Sequence, residues 1–204
     1  MSEEVFLVRH GETVHNVSGI AQGWSDSALS ERGNAQVLAL AGRVALLKPD
    51  AIFSSPLERA MSTARPIAEA TGLEVVTLDD LREMNFGAWE GRSFRDIRAN
   101  DGEAARRWIE DPEVACPGGE SHSDVRARMA RALAATIGSV RPVIVTHGTA
   151  LRIGATVLLD TPITVARHLA QDNASLSVFV RRGERMVMKL WNDTSHCGGM
   201  RAEG

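Results

Sequence analysis

Two short apolar runs in this sequence end in the same pair of residues, a histidine followed by a glycine. The first run, 5–8, leads through Arg9 into His10, and the second, 143–146, leads directly into His147. Short apolar runs with such boundaries are typical of buried strands. Because ligands bind at the carboxyl ends of parallel strands in open α/β sheets, we expect both histidines at one functional edge.

The chain alternates between strand and helix patterns. A helix predicted with Ser30 as its N-cap precedes a strand over 51–54 and a second helix that begins near Leu57. Pro66 lies inside that second pattern and predicts a kink or break near Arg65. The alternation favours an α/β fold, a three-layer α/β/α sandwich with a mostly parallel central sheet.

Three further elements are predicted in the second half of the chain. A polar helical pattern over 94–108 is interrupted by an Asp-Gly pair. An amphipathic helix capped by Ser121 or Ser123 follows, and its apolar stripe is Val125, Met129, Leu133 and Ile137. Two late strands, over 176–180 and 186–190, are close enough in sequence to pair as a hairpin.

Length and charge limit the class of protein. The 204 residues suit a single domain over 1–204, with a glycine-rich tail over 197–204 that we expect to be disordered. The net charge of -3, without a block of Lys or Arg, argues against nucleic acid as the main partner. No apolar stretch reaches the length of a membrane span, so no membrane partner is expected. The sequence leaves open whether the protein forms a homodimer.

The expected compartment is the cytoplasm. The first residues are acidic and unlike a secretory signal peptide. Cys116 and Cys197 lack metal-ligand spacing and are interpreted as free thiols in a reducing environment.

Several cationic and polar groups converge on the predicted sheet edge. Arg9 ends the first strand, and Arg59 lies in the first turn of the helix that follows the second strand. A guanidinium offers a planar fork of donors that suits phosphate or carboxylate. His147 stands where a helix begins, so the amides at and after Gly148 should face the same cleft. Two arginines, two histidines and a helix N-terminus predict a site for a dianion.

Five motifs occur in a fixed order along the chain. They are Arg9-His10-Gly11-Glu12-Thr13 with Asn16, Ser54-Ser55-Pro56-Leu57-Glu58-Arg59-Ala60 with Thr63-Ala64, Glu83 ahead of Phe86-Gly87-Ala88-Trp89-Glu90-Gly91, Pro117-Gly118-Gly119-Glu120-Ser121, and Thr146-His147-Gly148. In this order the sequence resembles the histidine phosphatase superfamily, in its phosphoglycerate mutase-like branch. The resemblance covers about 5–192, nearly the whole chain.

The resemblance implies roles for the residues at the sheet edge. His10 would be the nucleophile that forms a phosphohistidine, which divides one slow displacement into two easier ones. Arg9, Arg59 and His147 would hold the phosphoryl oxygens and neutralise their charge in the transition state. Asn16 would add a neutral donor to the same oxygens.

The resemblance also assigns the proton transfers and the substrate contacts. Glu83 would protonate the leaving alkoxide and then act as base for the entering water. The alternative for Glu83 is a solvated loop carboxylate paired with Arg82. Substrate contacts are expected from Gln22 and Gly23 in the loop after the first motif, and from Gly148.

Neither a metal nor another cofactor is expected. His15, His122, His168 and His196 are not at metal-ligand spacing, and no carboxylate cluster accompanies them. The pair 106–107 consists of two arginines, which we interpret as a solvated helix face. The alternative is that these arginines rim the pocket and bind a second anionic group of the substrate.

Three functions are compatible with these motifs. A mutase of this family must retain a bisphosphate intermediate and exclude water, which favours a long lid. The segment between Gly91 and Pro117 is short and has no Arg/Lys/Tyr-rich insertion. The sequence therefore favours a phosphomonoesterase that acts on a small phosphorylated metabolite. Cofactor-dependent phosphoglycerate mutase and a non-catalytic phosphate-binding module are the alternatives.

Overall fold

A six-stranded sheet forms the centre of the protein in a computed structural model, which describes residues 3–198. The strands are Glu4–Arg9 (β1), Ala51–Ser54 (β2), Val75–Thr77 (β3), Pro142–Thr146 (β4), Leu176–Arg182 (β5) and Arg185–Asp193 (β6). Their order across the sheet is β3-β2-β4-β1-β5-β6. The pairs β3-β2, β2-β4 and β4-β1 are parallel, and β5 and β6 form the predicted antiparallel hairpin beside β1.

Helices cover both faces of this sheet. They are Val14–Val17 (α1), Glu31–Ala45 (α2), Glu58–Thr71 (α3), Phe94–Asn100 (α4), Gly102–Glu110 (α5), His122–Ala135 (α6) and Gly148–Leu158 (α7). Side chains alternate along β1: Val5 and Leu7 join the core cluster that includes α6 and α7. Phe6 and Val8 join the opposite cluster with α2 and α3. The predicted three-layer α/β/α architecture is confirmed.

Capping residues define the helix starts as the sequence indicated. The Ser30 side chain accepts a hydrogen bond from the amide of Gly33 and begins α2. Of the two candidates for α6, Ser121 is the cap, and it forms a reciprocal capping box with Asp124. The predicted break in the polar helical region falls at Asp101, between α4 and α5.

Two expectations about helices need correction. The predicted break near Arg65 is wrong, because helix α3 continues through Pro66, and buried residues on both sides of that position pack into the core and hold the helix together. A kink at this point stays a prediction. Ile137 lies beyond the end of α6 and is 53% exposed, so it does not extend the apolar stripe of that helix.

The two cysteines are free thiols, as expected, and the structure places both in buried positions. Burial raises the pKa of the Cys116 thiol to about 12. Cys197 is 2% exposed and belongs to a short 3-10 helix over Ser195–Cys197, so the tail expected to be disordered does not begin there. The rest of that expectation, over 199–204, lies outside the described residues. Over 3–198, none of the helices has the length and apolarity needed to cross a bilayer.

Candidate active site

The two histidines of the sequence pattern meet at the carboxyl edge of the sheet. Strands β1 and β4 are parallel neighbours, with Arg9 opposite Thr146, so the next residue of each strand reaches the same place. The ring centroids of His10 and His147 are 5.1 Å apart. A cleft of about 290 Å³ opens at this edge, and Arg9, His10, Asn16, Gln22, Gly23, Arg59, Glu83 and Gly148 are among its walls.

His10 is held in one tautomer. Its Nδ1 is 2.7 Å from the backbone carbonyl of Gly11, which can only accept, so Nδ1 carries the proton. In the neutral ring Nε2 then keeps its lone pair, as a nucleophile requires. The residue is 3% exposed. Burial, followed by the charges of Arg59 and Arg9, lowers the pKa of His10 well below its ordinary value and favours this neutral form.

Packing against α2 leaves no room for a side chain at Gly11. A Cβ at this position would lie 2.6 Å from Cγ1 of Val37 and 3.0 Å from the carbonyl oxygen of Gly33, both in α2. The Gly11 amide donates to the Thr63 hydroxyl of α3 at 3.0 Å. The loop after His10 is therefore fixed against two helices, and this fixes the imidazole.

Arg9 lies beside the first residue of α7. Its Nη1 donates to the backbone carbonyl of Gln171, whereas its buried Nε has no hydrogen-bond partner among residues 3–198. A Cβ at Gly148 would be 3.4 Å from this Nε, which is ordinary van der Waals contact. Burial lowers the pKa of Arg9 to about 10, so the guanidinium stays charged at neutral pH. An unsatisfied buried donor with a positive charge favours an anionic ligand.

Arg59 is 1% exposed and is clamped by the loop that follows α1. Its Nη1 donates to the Ser25 carbonyl at 2.8 Å and to the Asp26 carboxylate at 2.9 Å. Its Nη2 donates to the Gly23 carbonyl at 2.7 Å, and its Nε to Nδ1 of His147 at 3.2 Å. Four of the five donor hydrogens are thus used within residues 3–198, which leaves one on Nη2 for a ligand.

His147 is fully buried against the Arg59 guanidinium and is not among the residues that line the cleft. Because Arg59 can only donate, Nδ1 of His147 accepts, and Nε2 of the neutral ring donates to the Ser55 hydroxyl at 2.8 Å. Burial, with Arg59 next, lowers the pKa of His147 well below its ordinary value. Both ring nitrogens are engaged, so a bond to a phosphoryl oxygen would replace the bond to Ser55. Its role as a phosphoryl ligand stays a prediction.

Asn16 has an oriented amide. Its Oδ1 accepts from the Thr13 amide at 3.1 Å and from Nδ2 of Asn173 at 3.1 Å. The Asn16 NH₂ group, for which residues 3–198 supply no acceptor, is left free to donate, and the residue lines the cleft. Asn173 also donates to the His10 carbonyl at 3.2 Å. No sequence pattern predicted a role for Asn173, which lies in the loop before β5.

Gln22 and Gly23 form part of the cleft wall, and their contact with a substrate stays a prediction. Gln22 is buried, and its Oε1 lacks a hydrogen-bond partner within 3–198. Gly23 has φ +58, and a Cβ there would lie 2.0 Å from Oε1 of Glu90. The Glu90 carboxylate accepts from the amides of Trp24 at 2.8 Å and Ser25 at 3.0 Å. A larger residue would be strained at this φ and would displace the Glu90 carboxylate, so glycine suits this turn, whose carbonyls hold Arg59.

Glu83 is bound to the start of helix α7. Its Oε2 accepts from the Thr149 amide at 3.0 Å, and its Oε1 from the amides of Ala150 at 3.0 Å and Met84 at 2.8 Å. The residue is 8% exposed, and Arg82 pairs with Asp79 instead. The alternative of a solvated Glu83–Arg82 pair is therefore wrong. Two of the helix amides expected to face a phosphate are instead occupied by this carboxylate.

Two side chains that the sequence did not predict hold the backbone of Glu83 in place. Arg128 of α6 is buried and donates to the Glu83 carbonyl at 2.9 Å, while its Nε pairs with Glu120 at 2.8 Å. The Trp24 indole donates to the same carbonyl at 2.9 Å, and the guanidinium of Arg82 lies 5.2 Å from the centroid of that ring. These contacts fix where the carboxylate stands.

The remaining charged candidates lie elsewhere. Arg106 forms exposed ion pairs with Glu103 at 2.9 Å and with Glu110 at 2.6 Å, as expected of a solvated helix face. Within residues 3–198, no group of three or more His, Cys, Asp or Glu side chains is arranged to hold a metal ion.

The buried histidines predict an acid-sensitive fold. Burial is the main cause that lowers the pKa of His10, His147, His122 (to about 4) and His196. The unfolded chain therefore binds more protons as the pH falls below about 6.5, and stability is lost between there and the lowered folded values. Each such histidine contributes about 1.4 kcal/mol per pH unit. Denaturant unfolding at pH 7.5, 6.5 and 5.5 measures this slope.

A matched substitution provides the control. His122→Asn should reduce the slope of the unfolding free energy against pH by about 1.4 kcal/mol per pH unit, which corresponds to one proton. His168→Asn, at an exposed position of the 3-10 helix Ile163–His168, should leave the slope unchanged. Equal unfolding free energies at pH 6.5 and 5.5 would contradict the burial of neutral imidazoles.

Comparison with known proteins agrees with the fold. The sequence profile of the histidine phosphatase superfamily (branch 1) matches residues 5–194, and the chain belongs to this superfamily. It is 38% identical over 178 residues to "Probable phosphoglycerate mutase GpmB" of Erwinia tasmaniensis, which covers 85% of this chain and 83% of that protein. It is 36% identical over 203 residues to phosphoserine phosphatase 1 of Hydrogenobacter thermophilus, covering 96% and 94%.

A solved structure gives the same result. The vanadate complex of a mycobacterial glucosyl-3-phosphoglycerate phosphatase superposes with a TM-score of 0.87 at 34% identity, covering 94% of this chain and 99% of that one. The predicted family is confirmed, and with it the prediction that the chain is an enzyme of the histidine phosphatase class.

Proposed function

We propose that this protein is a phosphomonoesterase that hydrolyses a small phosphorylated metabolite through a phosphohistidine on His10. The observation that carries the proposal is the tautomer of His10, whose Nδ1 bond to the Gly11 carbonyl leaves the Nε2 lone pair free in a cationic cleft. A module that only bound phosphate would gain nothing from a neutral imidazole among arginines, since an added proton would strengthen its attraction for the anion.

In the first step, Nε2 of His10 attacks phosphorus and the bond from phosphorus to the ester oxygen breaks. Arg9, the free Nη2 hydrogen of Arg59 and the Asn16 amide stabilise the charge on the phosphoryl oxygens. The leaving alkoxide takes a proton from Glu83, which must carry that proton when the ester is bound.

In the second step, water attacks the phosphorus of the phosphohistidine. Glu83 takes a proton from this water, the phosphorus–nitrogen bond breaks, and Nε2 of His10 regains its lone pair as inorganic phosphate leaves. Every proton in this scheme moves through the chain's own side chains, and none of the steps uses a metal.

Hydrolysis is favoured over phosphoryl transfer back to the product. Between the Glu83 motif and 117–119 the chain forms only two short helices, α4 and α5, and Phe94 of α4, which lines the cleft, is 39% exposed. A mutase must keep water from its phosphoenzyme. Mutase activity is the second candidate function, because the similarity to a protein named as a phosphoglycerate mutase supports it.

A phosphate-release assay over phosphorylated metabolites tests the function. We expect release to proceed in excess chelator at the same rate as without it. With 3-phosphoglycerate and a 2,3-bisphosphoglycerate primer, release should be faster than isomerisation. Activity lost on chelation and restored by a divalent ion would contradict the metal-independent mechanism. An isomerisation rate well above the release rate would identify a mutase.

A further inference from the structure

The side chain of Asn173 forms hydrogen bonds with two residues of the active site. Its Nδ2 donates to the backbone carbonyl of His10 at 3.2 Å and to Oδ1 of Asn16 at 3.1 Å. The Gly11 carbonyl lies 3.5 Å from the same nitrogen, at the limit of a hydrogen bond. The two hydrogens of one NH₂ group are thus shared between the proposed nucleophile and a proposed ligand of the phosphoryl oxygens.

The orientation of both side-chain amides follows from these contacts. A backbone carbonyl can only accept, so the NH₂ group of Asn173, and not its oxygen, faces His10. The Asn16 atom that faces this NH₂ group and the Thr13 amide must then be an oxygen. This leaves the NH₂ group of Asn16 to donate in the cleft, which the residue lines. Asn173 and Thr13 together therefore set the direction in which Asn16 donates.

Helix α1, which carries Asn16, has few contacts with which to hold this amide in place. It has four residues, none of them buried, and so short a helix is marginal by itself. Its first two amides donate to the loop over 27–28, at 3.1 and 3.2 Å. Those contacts hold the helix to the segment before α2, whereas the bond from Asn173 holds it to the residue proposed to attack phosphorus.

The loop that carries Asn173 is itself fixed on both sides. The next residue, Ala174, is fully buried and has φ 53°, a left-handed conformation that non-glycine residues rarely adopt. Its carbonyl accepts from Nε2 of His196 at 2.9 Å. The preceding residue, Asp172, exchanges two hydrogen bonds with Asn192, at 2.7 and 2.9 Å. Because such a backbone conformation persists only where surrounding contacts enforce it, Asn173 has a rigid position.

A rigid link between His10 and Asn16 matters because the phosphoryl group moves during the reaction. In the proposed first step, phosphorus moves toward Nε2 of His10, and its three equatorial oxygens carry the charge. A donor stabilises the transition state most when its position relative to the nucleophile is already set, since no reorganisation is then needed. Misplacement of a positioning group by about 1 Å can reduce a rate about 10²-fold.

Removal of the Asn173 side chain leaves its main acceptors with other donors. The His10 carbonyl keeps the bond from the Ala174 amide at 3.0 Å, and Oδ1 of Asn16 keeps the bond from the Thr13 amide at 3.1 Å. No buried acceptor among these is left unpaired, so the effect on folding should be small. The effect should fall instead on the alignment of Asn16 with His10.

We propose that Asn173 is a positioning residue of the reaction, which holds the side-chain amide of Asn16 at a fixed distance and orientation relative to His10. The inference rests on the proposed phosphatase function and adds a residue to its mechanism. Since the Ala174 amide holds the His10 carbonyl independently, Asn173 affects the rate mainly through Asn16.

A double-mutant cycle of Asn16→Ala and Asn173→Ala tests this coupling, with an aryl phosphate and 3-phosphoglycerate as substrates. Asn16→Ala removes one donor to the transition state and should lower kcat/KM about 10²-fold. Asn173→Ala should lower kcat/KM about 10-fold when Asn16 is present. In the Asn16→Ala background it should cost less than about 3-fold, because residues that act as a unit are not additive.

Inhibition by two anions provides a second readout. Vanadate can adopt the five-coordinate geometry of the transition state, whereas inorganic phosphate resembles the product. Asn173→Ala should weaken inhibition by vanadate about 10-fold and inhibition by phosphate less than about 3-fold, because alignment matters most in the transition state. A residue that only maintained the fold would affect the two inhibitors alike.

Asn34→Ala is the matched control, because it removes an exposed side-chain amide of α2 that donates to the Ser30 carbonyl at 2.9 Å. It should retain full activity. Thermal unfolding of Asn173→Ala should occur within about 4 °C of the wild type. Asn173→Asp serves if Asn173→Ala does not fold. Its carboxylate would attract the NH₂ group of Asn16 away from the phosphoryl oxygens, and its loss of activity should likewise shrink in the Asn16→Ala background.

The outcomes separate the function from the positioning role. If the wild type releases phosphate from neither ester, the phosphatase function itself is wrong, and the inference that rests on it is wrong as well. If the wild type is active and a folded Asn173→Ala variant keeps full activity, the positioning role is wrong and the function stands. Losses that multiply in the double variant would show that Asn173 does not act through Asn16, and they would also overturn the inference.

Discussion

Replacement of His10 by asparagine should reduce phosphate release about 10⁴-fold or more with every substrate, alkyl or aryl. The asparagine keeps a polar side chain of similar reach, but it offers no lone pair that can form a bond to phosphorus. Losses of this order follow removal of a covalent nucleophile, because the remaining groups can only bind and polarise the ester. Steady-state release assays with one alkyl and one aryl phosphate measure the loss.

The control for this variant is His168→Asn, which changes an exposed histidine of the same chain and should retain full activity. Thermal unfolding of both variants distinguishes a lost nucleophile from a lost fold. Phosphate should still bind to the His10 variant, since Arg9 and Arg59 are unchanged. Retention of more than about a tenth of the activity by a folded His10→Asn variant would show that the phosphohistidine mechanism is wrong.

The sheet edge could be predicted from sequence because it depends on short-range patterns. An apolar run followed by a histidine identifies a strand end, and parallel strands bring such ends together. His10, His147 and Arg59 therefore meet as the sequence indicated. The hydrogen-bond roles within the site were not predictable, because they depend on partners from distant segments. Ser55, which engages the ring of His147, is 92 residues away in sequence.

The residues that position Glu83 illustrate the same limit. Arg128 lies on α6 and Trp24 on the loop after α1, yet both donate to the carbonyl of Glu83. Neither stands in a motif, and an arginine on an amphipathic helix is ordinarily a solvated residue. Only the packing of α6 against the segment before Glu83 reveals the contact. A neighbouring cavity of about 250 Å³, which shares Thr149 with the active-site cleft, is equally a product of tertiary packing, since α5, α7 and a 3-10 helix each supply part of its wall.

Tertiary packing also explains why local rules failed in two helices. A proline inside a helix removes one hydrogen bond, a cost of about 3 kcal/mol. In α3 the buried residues Arg59, Thr63, Ala64 and Ile67 lie on both sides of Pro66, and their contacts offset that loss. At Ile137 the periodicity continued past the point where the helix ends at Ala135. Periodicity alone predicts which residues would share a face, but not where the helix stops.

Replacement of Glu83 by glutamine should produce a loss that depends on the leaving group. An alkoxide is a poor leaving group and needs a proton in the transition state, so alkyl phosphates should lose about 10²- to 10⁴-fold in kcat/KM. A nitrophenolate leaves without a proton, so the first step with an aryl phosphate should be affected much less. Comparison of kcat/KM for both ester types, with Glu58→Gln as control, measures the difference; Glu58 is an exposed carboxylate paired with Arg65.

The second step of the Glu83→Gln variant still lacks its base, so the phosphoenzyme should accumulate. Rapid mixing with an aryl phosphate should then give a burst of nitrophenolate close to one equivalent per active site. The glutamine can keep the two amide bonds that Oε1 accepts, from Met84 and Ala150, but its NH₂ group would face the Thr149 amide. Unfolding measurements should accordingly detect a stability loss of about 1 to 3 kcal/mol. Equal slowing of alkyl and aryl esters in the folded variant, without a burst, would show that another group transfers the proton.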